Sequence, residues 1–269
     1  MIKNKLHVIY RISDKGNPKP KLLNAGKWAC LKNAVQTLFD DVGGGSFHVI
    51  ADNCSAETIN ALKSTGLSLE LTSNGNSGTC RYIFNEVINR YAPDDNIYLL
   101  EDDYLHLPNS REAILEGLEI ADYVTLYDHP DMYRHDGKGD NPFVHGDLPK
   151  SSIYLTAHTH WRSTISTTMT FAAKARTLIE DRDVWNHFCT GRIPSDFYAF
   201  IVLTGQDDMD EAKRFVKIGR GDLAELIARN FLLGRKKRLL ISPLPSLATH
   251  TDATNNMAYI APIIDWSKV

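Results

Sequence analysis

The sequence predicts an α/β fold with a mostly parallel central sheet flanked by helices, and three observations point that way. Short apolar runs alternate with amphipathic stretches through the first half of the chain, the pattern of strands joined by crossover helices. Each run ends in polar, turn-forming residues. No internal repeat, low-complexity tract or linker interrupts the 269 residues, and 43% of them are hydrophobic, enough for a full core in one domain spanning 1–269.

The first predicted strand is Leu6–Ile12, followed by a helix over Lys27–Phe39 and the apolar run Phe47–Ala51. A helix at Ala56–Ser64, a strand at Leu67–Thr72, a helix near Gly78–Tyr91 and a strand at Asn96–Leu100 complete four strands and three crossovers. This Rossmann-like order places ligands beyond the carboxyl ends of the strands. The segments to inspect are therefore 11–15, 52–55, 73–78 and 101–104. A helix near Ser110–Ile120 and a strand at Tyr123–Tyr127 come next, then a His-, Asp-, Gly- and Pro-rich stretch to about Thr159 that reads as a long functional loop. A strand at Ser166–Ala172 and helices at Ala173–Asp183, Ser195–Leu203 and Leu223–Leu232 follow. Residues 1–125 form the expected ligand-binding half, and 126–269 the half facing a second substrate.

The chain has 30 basic and 33 acidic residues, a balance that by itself implies neither a nucleic-acid nor a membrane partner. Cys30, Cys54, Cys80 and Cys189 lie far apart, without the spacing of a zinc site or a disulfide framework, so reduced thiols and a cytoplasmic location are expected. The N-terminal MIKNKLHVIYRISDKG lacks the apolar stretch of about 7–15 residues that a signal peptide needs. Nor does any segment approach the ~18 uninterrupted apolar residues of a membrane helix.

The segment IYLLEDDYLHLPN sets Glu101, Asp102 and Asp103 directly after a buried-looking strand. Three acids there are costly unless a cation joins them, and Mg2+ or Mn2+ takes carboxylate oxygens while sharing its coordination with substrate phosphates. An acidic turn that solvates the strand end is the other reading.

LLEDDY resembles the acidic motif of the GT-A fold glycosyltransferases, family-2-like and nucleotide-sugar dependent, and SPLPSLATHTD resembles the proline-containing segment that ends in a metal-binding histidine in several of those families. The resemblance implies that Asp103 and His250 hold the metal and that Glu101 and Asp102 face the donor, although EDD departs from a strict DxD. It also makes Tyr10, Arg11 and Ser13 candidate nucleoside contacts and Asp52 a candidate for base recognition, with a UDP-sugar favoured as donor. Asp52 followed by Asn53 equally suits a turn and helix cap. In SNGNSGTCRYIF, Asn76 and Arg81 lie where a helix start approaches the donor in those enzymes; glycines there permit close backbone approach, and helix-terminal amides suit an anion.

Inverting transfer needs a general base for the acceptor hydroxyl, with retention the open alternative. Asp196 in IPSDFYAF stands at a helix start where inverting relatives carry that acid; as a cap it would serve structure only, and Asp181 and Asp183 are its rivals. Thr167, Thr168 and Thr170 are candidate sugar contacts or a solvated strand face. Tyr133, His135, His158, His160 and Trp161 are a candidate stacking wall or anchors of their loop. Between Lys213 and Arg238, nine basic residues face two acids, a net charge of +7. This segment is either a solvated basic face or a contact for an anionic acceptor such as a glycan or DNA. A nucleotidyltransferase and a catalytically silent carbohydrate- or nucleic-acid-binding protein are the alternatives, the former disfavoured by the poor phosphate-loop match of ISDKGNPKPK.

Overall fold

A computed structural model describes residues 5–15, 25–129, 133, 151–251 and 264–269. Four parallel strands form one half of the central sheet: β1 (Leu6–Ser13), β2 (Ser46–Asp52), β3 (Ser68–Thr72) and β4 (Asn96–Glu101). They are joined by α1 (Lys27–Leu38), α2 (Ala56–Ser64) and α3 (Gly75–Tyr82), which continues through a π-helical turn at Ile83–Val87 and a 3-10 turn to Arg90. The α2 boundaries follow from local chemistry. Ser55 Oγ accepts from the Thr58 amide at 3.2 Å, Glu57 and Lys63 complement the helix ends, and Leu62 packs inward.

After β4 the chain forms β5 (Tyr104–His106), α4 (Ser110–Gly117), β6 (Tyr123–Val124), β7 (Ile153–Leu155), β8 (His160–Thr164) and β9 (Phe171–Lys174). Helices α5 (Ala175–Glu180), α6 (Arg182–Phe188), α7 (Asp196–Gly205), α8 (Met209–Lys217) and α9 (Gly221–Leu232) lead to β10 (Leu240–Leu244) and β11 (Ala248–His250). The sheet order is β3-β2-β1-β4-β9-β6-β10-β8-β7, with β5 and β11 as a separate two-stranded ribbon. The sheet is mixed. Its β3-to-β4 half is parallel as expected, but β9 runs antiparallel to both β4 and β6, and β8 to both β10 and β7.

Two apolar layers cover the sheet. Leu6, Val8, Tyr10 and Ile12 of β1 pack with Leu31 and Leu38 of α1 and Ile114 of α4. Ile9 joins the opposite layer, with Phe84, Trp185, Phe200 and Ile227 from α3's continuation, α6, α7 and α9. This two-residue alternation decides which polar residues at the strand end can face the same side. Among the described residues no helix is long and apolar enough to cross a membrane.

Several expectations are revised. The stretch before Thr159 contributes an edge strand, β7, and the expected 166–172 strand is displaced to β9. The single helix expected over 173–183 breaks at Asp181, whose side chain is drawn inward by Tyr123 and Arg238.

Candidate functional site

The parallel strands end together at one edge of the sheet, and the acidic motif leaves β4 there. A short ribbon holds it against the C-terminal part of the chain. Ala248, Thr249 and His250 pair with His106, Leu105 and Tyr104, and the Thr251 amide donates to the Asp103 carbonyl at 2.8 Å. This register brings His250 Nε2 to 3.3 Å from Asp103 Oδ2. The imidazole also stands edge-on to the Tyr104 ring at 4.8 Å, and the Tyr104 hydroxyl donates to Thr168 Oγ1 at 2.7 Å. Two motifs far apart in sequence thus meet in one place.

The three acids of the motif have different surroundings. Glu101 Oε1 accepts from Arg11 Nη2 at 2.5 Å, and its backbone N–H donates to Thr170 Oγ1 at 3.2 Å. Asp102 Oδ2 accepts from the Ser13 amide at 3.2 Å; burial, then the neighbouring Asp103 charge, push its pKa up to about 6. Asp103, a quarter exposed, faces His250.

Among the described residues no three His, Cys, Asp or Glu side chains gather into a closed metal cage. The donor set still fits a hard divalent cation completed by substrate phosphates, which commonly needs only one or two protein ligands. Asp103 and His250 are adjacent, and the mutual repulsion of Asp102 and Asp103 is what a cation would relieve.

At the end of β1, Ser13 lies in the site but its neighbours do not reach it in the same way. Tyr10 is fully buried, packs 5.8 Å from Phe47 and donates its hydroxyl to the Lys27 carbonyl at 3.4 Å, so its side chain belongs to the core rather than to a donor. Arg11 points into the other layer. Its Nη1 donates to the Asn76 carbonyl at 3.2 Å and to Asn76 Oδ1 at 3.0 Å, and contacts Cys80. Burial works against its charge, but Cys80 and Glu101 raise its pKa overall, so Arg11 ties β1 to α3 and β4 as a cation.

Asp52 does not cap the following helix, whose N-cap is Ser55, and its side chain braces the β3–α3 turn instead. Oδ1 accepts from Thr72 Oγ1 at 2.9 Å and from the Asn74 and Gly75 amides at 2.7 and 3.3 Å, and Oδ2 from Asn53 Nδ2 at 2.8 Å. Burial opposes these bonds, yet they hold the carboxyl below its usual range. Because α3 starts at Gly75, earlier than expected, Arg81 falls in its last turn, exposed, rather than at its start.

Asp196 opens α7, and Ser195 makes no side-chain cap bond. Asp196 Oδ1 accepts from the Phe197 amide at 2.8 Å. Burial, then the Glu101 charge, push its pKa up to about 7, which ties it electrostatically to the acidic motif. Its rivals are occupied elsewhere. Asp181 accepts from Tyr123 OH at 2.8 Å and Arg238 Nε at 2.9 Å, and Asp183 pairs with Arg229 and Arg235.

Thr167, Thr168 and Thr170 are buried, bonded to Thr125, Tyr104 and the Glu101 amide, and form no solvated face. The stacking wall does not assemble: Trp161 is in the core, His158 Nδ1 sits 2.6 Å from Glu116 Oε1 on α4, and His135 lies outside the described residues. Tyr133 is exposed, lies over Arg162 at 5.4 Å and bonds Asp128. Of the nine basic residues between Lys213 and Arg238, six pair with acids: Lys213 with Asp210, Arg214 with Glu211, Arg220 with Asp222, Arg229 and Arg235 with Asp183, and Arg238 with Asp181, Glu180 and Asp122. Most of the local excess charge is therefore neutralised within the fold.

Sequence reasoning missed Asp14 and Lys27. Asp14 accepts from Lys27 Nζ and the Ser55 amide, both at 2.8 Å, and Lys27 also reaches the Ser13 carbonyl. Both follow from the end of β1 meeting the start of α1, a juxtaposition without a local sequence signal.

No protein-family model matches the chain, and no curated protein matches it. Solved structures of similar architecture include residues 1–349 of S. aureus TarS, at 13% identity and a TM-score of 0.43, covering 85% of this chain and 70% of that one. Mouse xyloside xylosyltransferase 1 aligns at 12% identity and a TM-score of 0.42 over 94% of this chain and 99% of that one. CMP:2-keto-3-deoxy-manno-octonic acid synthetase complexed with CTP aligns at 11% identity and a TM-score of 0.41, over 67% and 78%. Likenesses this distant assign no role to any residue, and the site described above rests on this chain's own geometry.

Proposed function

We propose that the protein is a metal-assisted glycosyltransferase that moves a sugar from a nucleotide diphosphate, a UDP-sugar in the favoured case, to a hydroxyl acceptor in the cytoplasm. The observation that carries this reading is the pairing of Asp103 with His250 across the β5–β11 ribbon, at the edge where the parallel strands end. In this reading Asp103 and His250 hold Mn2+ or Mg2+, which supplies positive charge for the departing diphosphate. Ser13 and Asp102 line the donor side. Arg11 and Asn76 act by fixing Glu101 and α3, and Asp52 acts by fixing the β3–α3 turn.

Asp196 serves as the base. With a pKa near 7 it is substantially ionised at neutral pH, yet basic enough to take the acceptor hydroxyl proton as the oxygen attacks the anomeric carbon. The four free cysteines, Cys30, Cys54, Cys80 and Cys189, support the cytoplasmic assignment.

A thermal-shift screen of UDP- and GDP-sugars with and without Mn2+ tests the donor reading, because a ligand bound only by the native state raises apparent stability. A metal-dependent shift with one nucleotide series supports it. No shift with either series, in folded protein, refutes it and leaves a glycan- or DNA-binding role to be tested.

A further inference from the structure

Lys27 was not singled out by any motif, yet the fold brings its charge against the acidic edge. It is the first residue of α1, and its carbonyl accepts from the Tyr10 hydroxyl at 3.4 Å, which anchors its backbone to β1. Its ammonium donates to the Ser13 carbonyl at 2.5 Å and to Asp14 Oδ1 at 2.8 Å. The N–H of the same Ser13 donates to Asp102 Oδ2 at 3.2 Å. Lys27 is thus one residue removed, through Ser13, from the carboxylate that follows β4. Asp14 is itself held, its Oδ2 accepting from the Ser55 amide at 2.8 Å.

These contacts use two of the three N–H donors of the ammonium. The side chain is 30% exposed, so the group remains accessible from solvent while its position is set by the protein. Asp14, Asp102 and Asp103 otherwise present negative charge where a diphosphate would lie, and a diphosphate settles there only if cations face it.

We propose that Lys27 is a donor-phosphate-binding residue, its remaining N–H given to a phosphate oxygen of the nucleotide. The proposal rests on the glycosyltransferase reading and specifies which chain-borne cation faces the donor. Asp14 keeps the ammonium oriented when the site is empty; on binding, the phosphate adds to that ion pair.

The test is calorimetric titration of UDP, or of GDP if only that nucleotide shifts the wild type, and of the matching nucleoside, in Mn2+ buffer. It compares wild type, Lys27→Met, Lys27→Arg and Asp14→Asn. Loss of one charge-assisted hydrogen bond predicts that Lys27→Met weakens the nucleotide roughly 10- to 100-fold. The nucleoside should change by less than about twofold, and Lys27→Arg should recover most of the loss, since only charge and donor count at this position. Asp14→Asn keeps the ammonium and should bind the nucleotide at least as tightly as wild type, a prediction that stands even where Lys27→Met does not fold.

Unchanged nucleotide affinity in Lys27→Met overturns the proposal. An equal fall for nucleotide and nucleoside also overturns it, because a purely structural lysine would act that way. A loss of nucleotide affinity in Asp14→Asn as large as that expected for Lys27→Met overturns it too. A wild type that binds neither nucleotide refutes the donor reading itself, a different failure that the wild-type titration alone identifies.

Discussion

Replacing Asp196 with Asn should stabilise the protein at alkaline pH while removing its activity. The folded state raises this carboxyl from 3.8 to about 7, burial being the main cause and Glu101 the second. A carboxyl whose pKa is raised on folding contributes most stability below its unfolded value, and that contribution is lost as pH rises through the folded value. About three pKa units correspond to a ceiling of about 4 kcal/mol, and the partial solvent exposure of Asp196 reduces this to about 2–4 kcal/mol. Asn has no such titration. The stability of Asp196→Asn relative to wild type should therefore climb between pH 4 and pH 7 and stay level above pH 7, a Tm gain of roughly 4–16 °C at pH 8 relative to the difference at pH 4. The assay is urea or thermal unfolding of both proteins across that range, alongside donor hydrolysis with water as acceptor. Wild-type hydrolysis should rise with pH to a plateau past 7, and the variant should lose roughly 100- to 10,000-fold in turnover. Parallel stability curves for the two proteins would refute the raised pKa, and turnover within a few-fold of wild type would refute the role as base.

Asp103→Ala should abolish the Mn2+-dependent part of donor binding, and His250→Gln should weaken Mn2+ affinity while leaving metal-free nucleotide affinity unchanged; titrations with and without metal separate these outcomes. Arg11→Met leaves Glu101 without its 2.5 Å partner and should cost about 3–5 kcal/mol in urea unfolding, a test of Arg11 as a tether rather than a donor contact. Asp181→Asn removes the carboxylate that Arg238 and Tyr123 share, and should lower stability by a similar amount with no change in donor affinity.

The elements readable from sequence were those with local signals. Helix α2 carries its Ser55 cap and terminal charges, and β4 is a continuous apolar run because both of its faces are covered. The parallel half of the sheet followed from such pieces. What escaped depends on distant partners: β8 is defined by pairing with β10, and β5 exists because Ala248, Thr249 and His250 lie beside it. The acidic motif and His250 were legible as motifs, but their contact was not, since it is made by that ribbon. Tyr10 and Arg11 show the limit of assigning roles by position along a strand. They are neighbours in sequence, yet alternation sends Tyr10 to the α1 layer and Arg11 to the α3 layer, leaving Ser13 to meet Asp102.

The two ends of the molecule treat their acids differently, and this contrast separates structural carboxylates from candidate functional ones. Asp181 and Asp183 are met by Arg238, Arg229 and Arg235, and Glu180 and Asp122 share Arg238. Such pairs hold helices to the sheet. Asp102 and Asp196, at the edge where the parallel strands end, are instead held by backbone N–H groups, from Ser13 in one case and from Phe197 and Met169 in the other; burial raises their pKa, as it also does that of Asp181 despite its arginine. Half-burying a carboxylate without a guanidinium lowers stability, and stability alone would favour an Asn, or an arginine nearby. The arginine that is nearby, Arg11, goes to Glu101 and Asn76. In the proposed reading, a divalent cation at Asp103 and the Lys27 ammonium would offset the acidic edge formed by Asp102 and Asp103, and Asp196 would take up the acceptor proton.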